Sequence, residues 1–193
     1  MQRDVRSPDK APALRLMAHI ETALVAVSAA ALAAIMLIVV ADVAGRYFLD
    51  APFSWSYNVI GLWLMTAVFF LALPDTLTHH GHIAVDVFQH ALPRPLMHLG
   101  LALGYAASVW VVALICKGGW ARFVKAWVND EHIQALVPIS TWVPYALLVV
   151  GTAALMLRCV VRAMGHLASL VTGRDLADLP PPPETGSVRE DMI

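Results

Sequence analysis

The chain has 193 residues, of which 59% are hydrophobic and only 14% charged, with a formal net charge of −1 at pH 7. Soluble domains carry about 25% charged residues, so the composition excludes an ordinary water-soluble fold. Near-neutral charge without a basic stripe gives no footprint for nucleic acid. Four stretches contain no Asp, Glu, Lys or Arg: 22–41, 51–74, 95–116 and 132–157. Each has about the 20 residues a helix needs to cross a bilayer core. The expected fold is an all-α membrane protein: four transmembrane helices with short interfacial amphipathic helices. The spans are placed at about 22–44, 55–74, 95–116 and 142–164, within a membrane domain of about 19–172.

Residues 1–18 form a polar segment with Arg3, Arg6, Lys10 and Arg15. The first apolar stretch exceeds the 7–15 residues of a signal-peptide core, so it reads as an uncleaved span. Ala26, Ala30 and Ala34 recur along it, a spacing that lets another helix approach closely. Asp42 and Arg46 sit four apart, acid first, the favourable order for an ion pair at a helix end.

A short loop with Pro52 follows. Ser54 is the expected N-cap of the second span, Trp55 and Tyr57 belong to an aromatic belt, and Pro74 is the expected stop. In the next connection, Val85, Phe88 and Leu92 are spaced for a short interfacial helix over 84–92. Pro95 suits the first turn of the third span, which carries Gly100, Gly104 and Ser108 as a strip of small residues at the spacing of a helix–helix contact. After Cys116, Trp120, Phe123 and Trp127 line one side of an expected second interfacial helix, with Arg122 and Lys125 between them. Thr141 is placed to cap the fourth span. The tail 173–193, with Pro180 to Pro183, is expected to be disordered.

Orientation follows from the basic residues. With four spans, Arg3, Arg6, Lys10, Arg15, Arg94, Arg158, Arg162, Arg174 and Arg189 share one side, against Arg46, Lys117, Arg122 and Lys125 on the other. The positive-inside rule therefore puts both termini in the cytoplasm.

Little points to chemistry. Cys116 and Cys159 fall at opposite membrane ends, so neither a disulfide nor a metal motif is expected from them. His79, His80 and His82 cluster after the second span, with Asp86 one turn beyond His82; they read as solvated interfacial groups rather than as metal ligands. A bis-histidine haem needs histidines facing one another inside the bundle, whereas His98, His132 and His166 lie near span ends or in flanks. No catalytic residue, bound cofactor or metal is expected. Ionisable groups deep in a membrane mark transport paths, and none is expected near a span centre. That favours an accessory subunit held to a larger partner.

Several local patterns coincide. Arg46-Tyr47-Phe48, Pro52 and Trp55 resemble a segment after the first span of the small, DctQ-like membrane subunits of tripartite ATP-independent periplasmic (TRAP) transporters. His82-Ile83-Ala84-Val85-Asp86 is similar to their motif after span two, and Pro138 with Trp142-Val143-Pro144-Tyr145 to the start of their last span. The resemblance covers about residues 15–170. Ser56, Tyr57 and Asn58 stand where many members carry acids. The resemblance implies a bacterial inner-membrane protein in a sodium-coupled importer of an organic acid. Its expected partners are a large membrane subunit, which it braces, a periplasmic solute-binding protein and the lipid bilayer. Arg46, Trp55, Gly100, Gly104, Ser108, His82, Asp86 and Trp142 are the expected partner contacts. The alternatives left open are the four-span subunit of tripartite tricarboxylate transporters, a haem- or quinone-linked membrane anchor of a redox enzyme, and a small exporter.

Overall fold

A computed structural model describes residues 12–78, 94–134 and 138–172. Helix α1 spans Pro12–Leu49. A three-residue α2 (Ser56–Asn58), a π-helical segment (Val59–Leu64) and α3 (Met65–Thr78) follow one another without a break. Helix α4 spans Arg94–Val128 and α5 spans Trp142–Thr172, with a two-stranded antiparallel ladder, β1 (His132–Ile133) and β2 (Ile139–Ser140), between them. Among the described residues, four helical stretches are long and apolar enough to cross a membrane.

The helices pack as a row. Helix α1 lies on α3, α3 on α5, and α5 on α4, so α1 and α4 form the two edges. The residues α1 turns inward include Met17, Glu21, Leu24, Ser28, Ala31, Ile35, Ile38, Asp42 and Gly45, in alternating steps of four and three, with Val25, Ala34 and Ala44 half-buried beside them. Helix α4 does the same with His98, Ala102, Tyr105, Val109, Val112, Cys116, Gly119, Phe123 and Ala126. That 3.5-residue period is the seam of left-handed helix pairing, and it buries only a narrow stripe. The rest of each helix faces outward, to lipid or to another protein.

The seams correct the small-residue expectation. Ala26 and Ala30 face out while Ala34 is half-buried, and Gly100, Gly104 and Ser108 all face out. A Cβ built on Gly100 or Gly104 meets nothing within 4 Å. At 100° per residue, position 100 lies about 200° around the helix from His98, on the far side of the seam. Close approach is instead made by Gly119 against Leu148 and by Gly151 against the backbone of Phe70.

Helix α3 keeps Pro74 inside it rather than ending there. Proline supplies no N–H to the carbonyl four residues back, here that of Phe70, and such gaps survive in membranes when neighbouring elements cover them. Gly151 of α5 sits directly against that carbonyl, and the Ser28 hydroxyl of α1 donates to the Val68 carbonyl at 3.0 Å. Thr66 donates to the Leu62 carbonyl within the π segment (2.6 Å).

Other expected boundaries move. Ser54 does not cap: α2 starts at Ser56, whose hydroxyl and N–H donate to the Phe53 carbonyl (2.8 and 3.0 Å). Thr141 gives its hydroxyl to the Glu131 carbonyl (2.9 Å), closing the β1–β2 turn region rather than the helix start. The second interfacial helix does not exist as a separate element. Lys117-Gly118-Gly119 continues α4, because Gly119 is held in the helix by its contact with α5, and Trp120, Phe123 and Trp127 occupy the last turns. Helix α4 ends where Asp130 takes a left-handed conformation (φ 48) and Glu131 N–H donates to the Ala126 carbonyl, a Schellman closure. The expected helix over 84–92, segment 1–11 and the tail 173–193 lie outside the described residues.

Candidate functional site: a buried polar layer and two exposed edges

At the end of the row where α1 begins and α5 ends, three helices bring polar side chains inward. Glu21 of α1 is 3% exposed. Its carboxylate lies 3.6 Å from Nε of Arg158 on α5, a guanidinium whose side chain is 15% exposed. The pair stands at the borders of the charge-free stretches rather than at a span centre: Glu21 directly precedes 22–41 and Arg158 directly follows 132–157. Burial of two charges persists only when they neutralise each other. Both charges therefore tie α1 to α5 across the end of α3, rather than lining a path.

Beyond them, His98 of α4 and His166 of α5 meet Nδ1 to Nδ1 at 3.2 Å, at 4% and 1% exposure. Tyr105 stacks on His166, with ring centroids 5.6 Å apart and planes 6° apart. The histidines thus do face each other inside the helices, which the sequence reading did not expect. They are too close to bracket an iron: two imidazoles on opposite sides of one metal, at about 2.0–2.1 Å each, stand about 4 Å apart. Among the described residues no group of three or more His, Cys, Asp or Glu could hold a metal. His79, His80, His82 and Asp86 lie outside the described residues.

At the opposite end, Asp42 organises the turn that holds Pro52 and Trp55. Its Oδ1 accepts the Phe53 N–H (2.6 Å), and its Oδ2 accepts from Arg46 (3.1 Å). Arg46 is largely exposed and Trp55 stacks on Phe53, at 5.7 Å and 13°. Removing the carboxylate should release the turn. Hydrogen exchange across 50–56 is expected to rise in Asp42→Ala and to stay near wild type in Arg46→Ala. Equal effects would make the ion pair, not the Phe53 bond, the anchor.

The same end carries an aromatic cluster. Trp142 packs edge-on against Trp127 (4.9 Å) and against Phe123 (6.5 Å). Trp63 of the π segment donates its indole N–H to the Ser140 carbonyl (3.1 Å), fastening the strand ladder to that segment. Ser140 Oγ, His132 Nε2 and Asp130 lie in sequence across this ladder, the residue types of a hydrolytic triad. However, His132 Nδ1 sits at 2.7 Å from the Asp130 backbone carbonyl and 3.8 Å from its carboxylate. The carboxylate therefore does not orient the ring, and the group serves as a cross-strand pair.

Of the expected partner contacts, the structure places Arg46 and Trp55 at one end of α1–α2, Trp142 at the same end of α5, and Gly100, Gly104 and Ser108 along the outer face of α4. It does not bring them into one cluster. Glu21, Arg158, His98 and His166 escaped sequence reasoning. Their one signal was position: each lies at or near the border of an apolar stretch, where an anchoring role looks the same as a buried one.

Taken together, the fold defines a multi-pass helical membrane protein whose buried charges and histidines are paired off between helices. Comparison with family models assigns it further. The model described as "Tripartite ATP-independent periplasmic transporters, DctQ component" matches residues 35–169, and the chain belongs to that family. It is thus a small TRAP transporter component, and the family is one of transporter subunits, not enzymes. That match replaces the redox-anchor, tricarboxylate-transporter and exporter readings. Comparison with curated proteins gives no match.

Proposed function

We propose that this subunit braces the stationary scaffold of the large membrane subunit in a sodium-coupled importer of an organic acid, to which a periplasmic solute-binding protein delivers substrate. It sits in the bacterial inner membrane with both termini cytoplasmic. Family membership and the distribution of basic residues support this reading. The observation that carries the bracing role is the row itself. A single layer of helices leaves broad faces uncovered, and its small-residue strip at Gly100, Gly104 and Ser108 points away from its own neighbours. Small outward residues permit close backbone approach by a second protein.

Co-purification of a tagged copy from its native membrane tests the proposal. A large transporter subunit is expected in stable association, and recovery of the chain alone would reject it. Gly104→Leu is expected to leave the isolated chain as stable as wild type, because its surroundings are open, and to lower recovery of the partner severalfold. Undiminished recovery would remove the α4 strip from the interface.

A further inference from the structure

We propose that Lys117, Arg122 and Lys125 of α4 lie within the depth of the bilayer and are met there by carboxylates of the large membrane subunit. The depth follows from the contacts between helices. Gly119 of α4 packs on Leu148 of α5, and Leu147 beside it joins the cluster of Ala31 on α1 with Ala67 and Leu71 on α3. Ala31 is at the middle of the charge-free stretch 22–41, and both α3 residues lie inside 51–74. The register holds along α4, because Trp127 meets Trp142 on one side of Gly119 and His98 meets His166 on the other. Lys117, Arg122 and Lys125 are two, three and six residues from Gly119. At 1.5 Å per residue they stand within about 9 Å of the midplane that α1 and α3 define. The hydrocarbon extends about 15 Å to either side of it.

The apolar stretch of α4 itself, 95–116, is centred near Tyr105, about 21 Å along the helix from that midplane. A bilayer centred there would leave Met36, Leu37 and Val40 of α1 outside the hydrocarbon, at 64%, 71% and 67% exposure. Levelling the two edges by leaning a row of three 8–10 Å contacts takes about 35–40°, roughly twice the average tilt of membrane helices. Charges at such depth face protein or a water-filled cavity, not lipid chains. All three of these face away from their own chain. Lys125 has Glu131 at 3.9 Å, and Lys117 and Arg122 have no acidic partner among the described residues. The cations therefore call for carboxylates from another chain. Gly104, Gly118 and Lys125 share one outward side at intervals of fourteen and seven residues, as do Ser108 and Arg122. The basic groups thus prolong the small-residue strip already assigned to the large subunit, and this inference rests on that assignment.

The test uses the assembled complex, purified through a tag on this chain and placed in nanodiscs of phosphatidylethanolamine and phosphatidylglycerol. With Cys116 and Cys159 replaced by alanine, a spin label is set at Ala121, an exposed position between Lys117 and Lys125. Collision with oxygen reports lipid chains, and collision with a water-soluble nickel chelate reports water or headgroups. In the complex both are expected to be low, whereas in the isolated chain one of them rises severalfold. High oxygen collision in the complex would put lipid chains there, and high nickel collision would put water or anionic headgroups there; either overturns the proposal. Replacing all three bases by glutamine is expected to lower recovery of the large subunit about tenfold, and the exchange Lys117→Arg, Arg122→Lys and Lys125→Arg to retain it. Equal recovery with the glutamine variant would overturn the proposal while leaving the bracing role intact. Wild-type chain recovered without any large subunit would reject both. The label at Ala121 decides even where the neutral variant fails to insert.

Discussion

Glu21→Ala is expected to destabilise the isolated chain by about 3–5 kcal/mol, because it leaves the Arg158 guanidinium buried without its counter-charge. Reversible unfolding in mixed detergent micelles measures this. The sign of a second experiment separates a charge effect from a packing effect. Replacing both partners at once, Glu21→Leu with Arg158→Met, removes the uncompensated charge while filling the space. Such exchanges of buried ion pairs for apolar residues are often neutral or stabilising by about 1–4 kcal/mol. The double variant should therefore recover most of the loss. If the double variant is as unstable as Glu21→Ala, the pair contributes through shape rather than charge.

Gly151→Leu should be comparably damaging for a different reason. A Cβ at this position runs into the carbonyl and carbonyl carbon of Phe70, and those backbone atoms cannot swing aside as a side chain can. Overpacking usually costs about 1–3 kcal/mol and more where relief is blocked, so about 3 kcal/mol or above is expected from the same unfolding assay. The α3–α5 crossing also covers the carbonyl that Pro74 leaves without its helical donor. Separating these helices exposes that group to hydrocarbon as well as losing the packing. Gly100→Leu supplies the control: with nothing within 4 Å of the added Cβ, it should leave the isolated chain unchanged. Equal losses at positions 100 and 151 would contradict the packing order α1–α3–α5–α4.

The two glycines show how far reading the residues reached. Gly100 and Gly104 have the spacing of a helix contact, and Gly151 has no such partner in its helix. Yet Gly151 is the buried one. In water, the buried side of a helix is marked by an apolar stripe against a charged face. Here every face of the spans is apolar, because lipid covers whatever protein does not. The usual signal of which side turns inward is therefore missing, and spacing alone could not choose between the strip of 100, 104 and 108 and the seam of 98, 102 and 105. Asp42 was more legible. Its ion pair with Arg46 follows from a four-residue offset within one helix, whereas its stronger bond, to the Phe53 N–H, depends on how the chain turns back.

By itself the sequence determined that this is a four-span helical membrane protein and, through its short motifs, that it resembles the DctQ component of a TRAP transporter. Both rest on local properties, hydropathy over a bilayer's thickness and residue order along the chain. Only the tertiary structure decided that the helices form a row, that the small-residue strip of α4 faces outward, and that Glu21 meets Arg158 and His98 meets His166. Those pairs join residues 137 and 68 positions apart. Whether a charge or imidazole at the end of an apolar stretch anchors in headgroups or locks two helices depends on what the neighbouring helix presents at that depth. The order and rotation of the helices set that, and no local pattern encodes either.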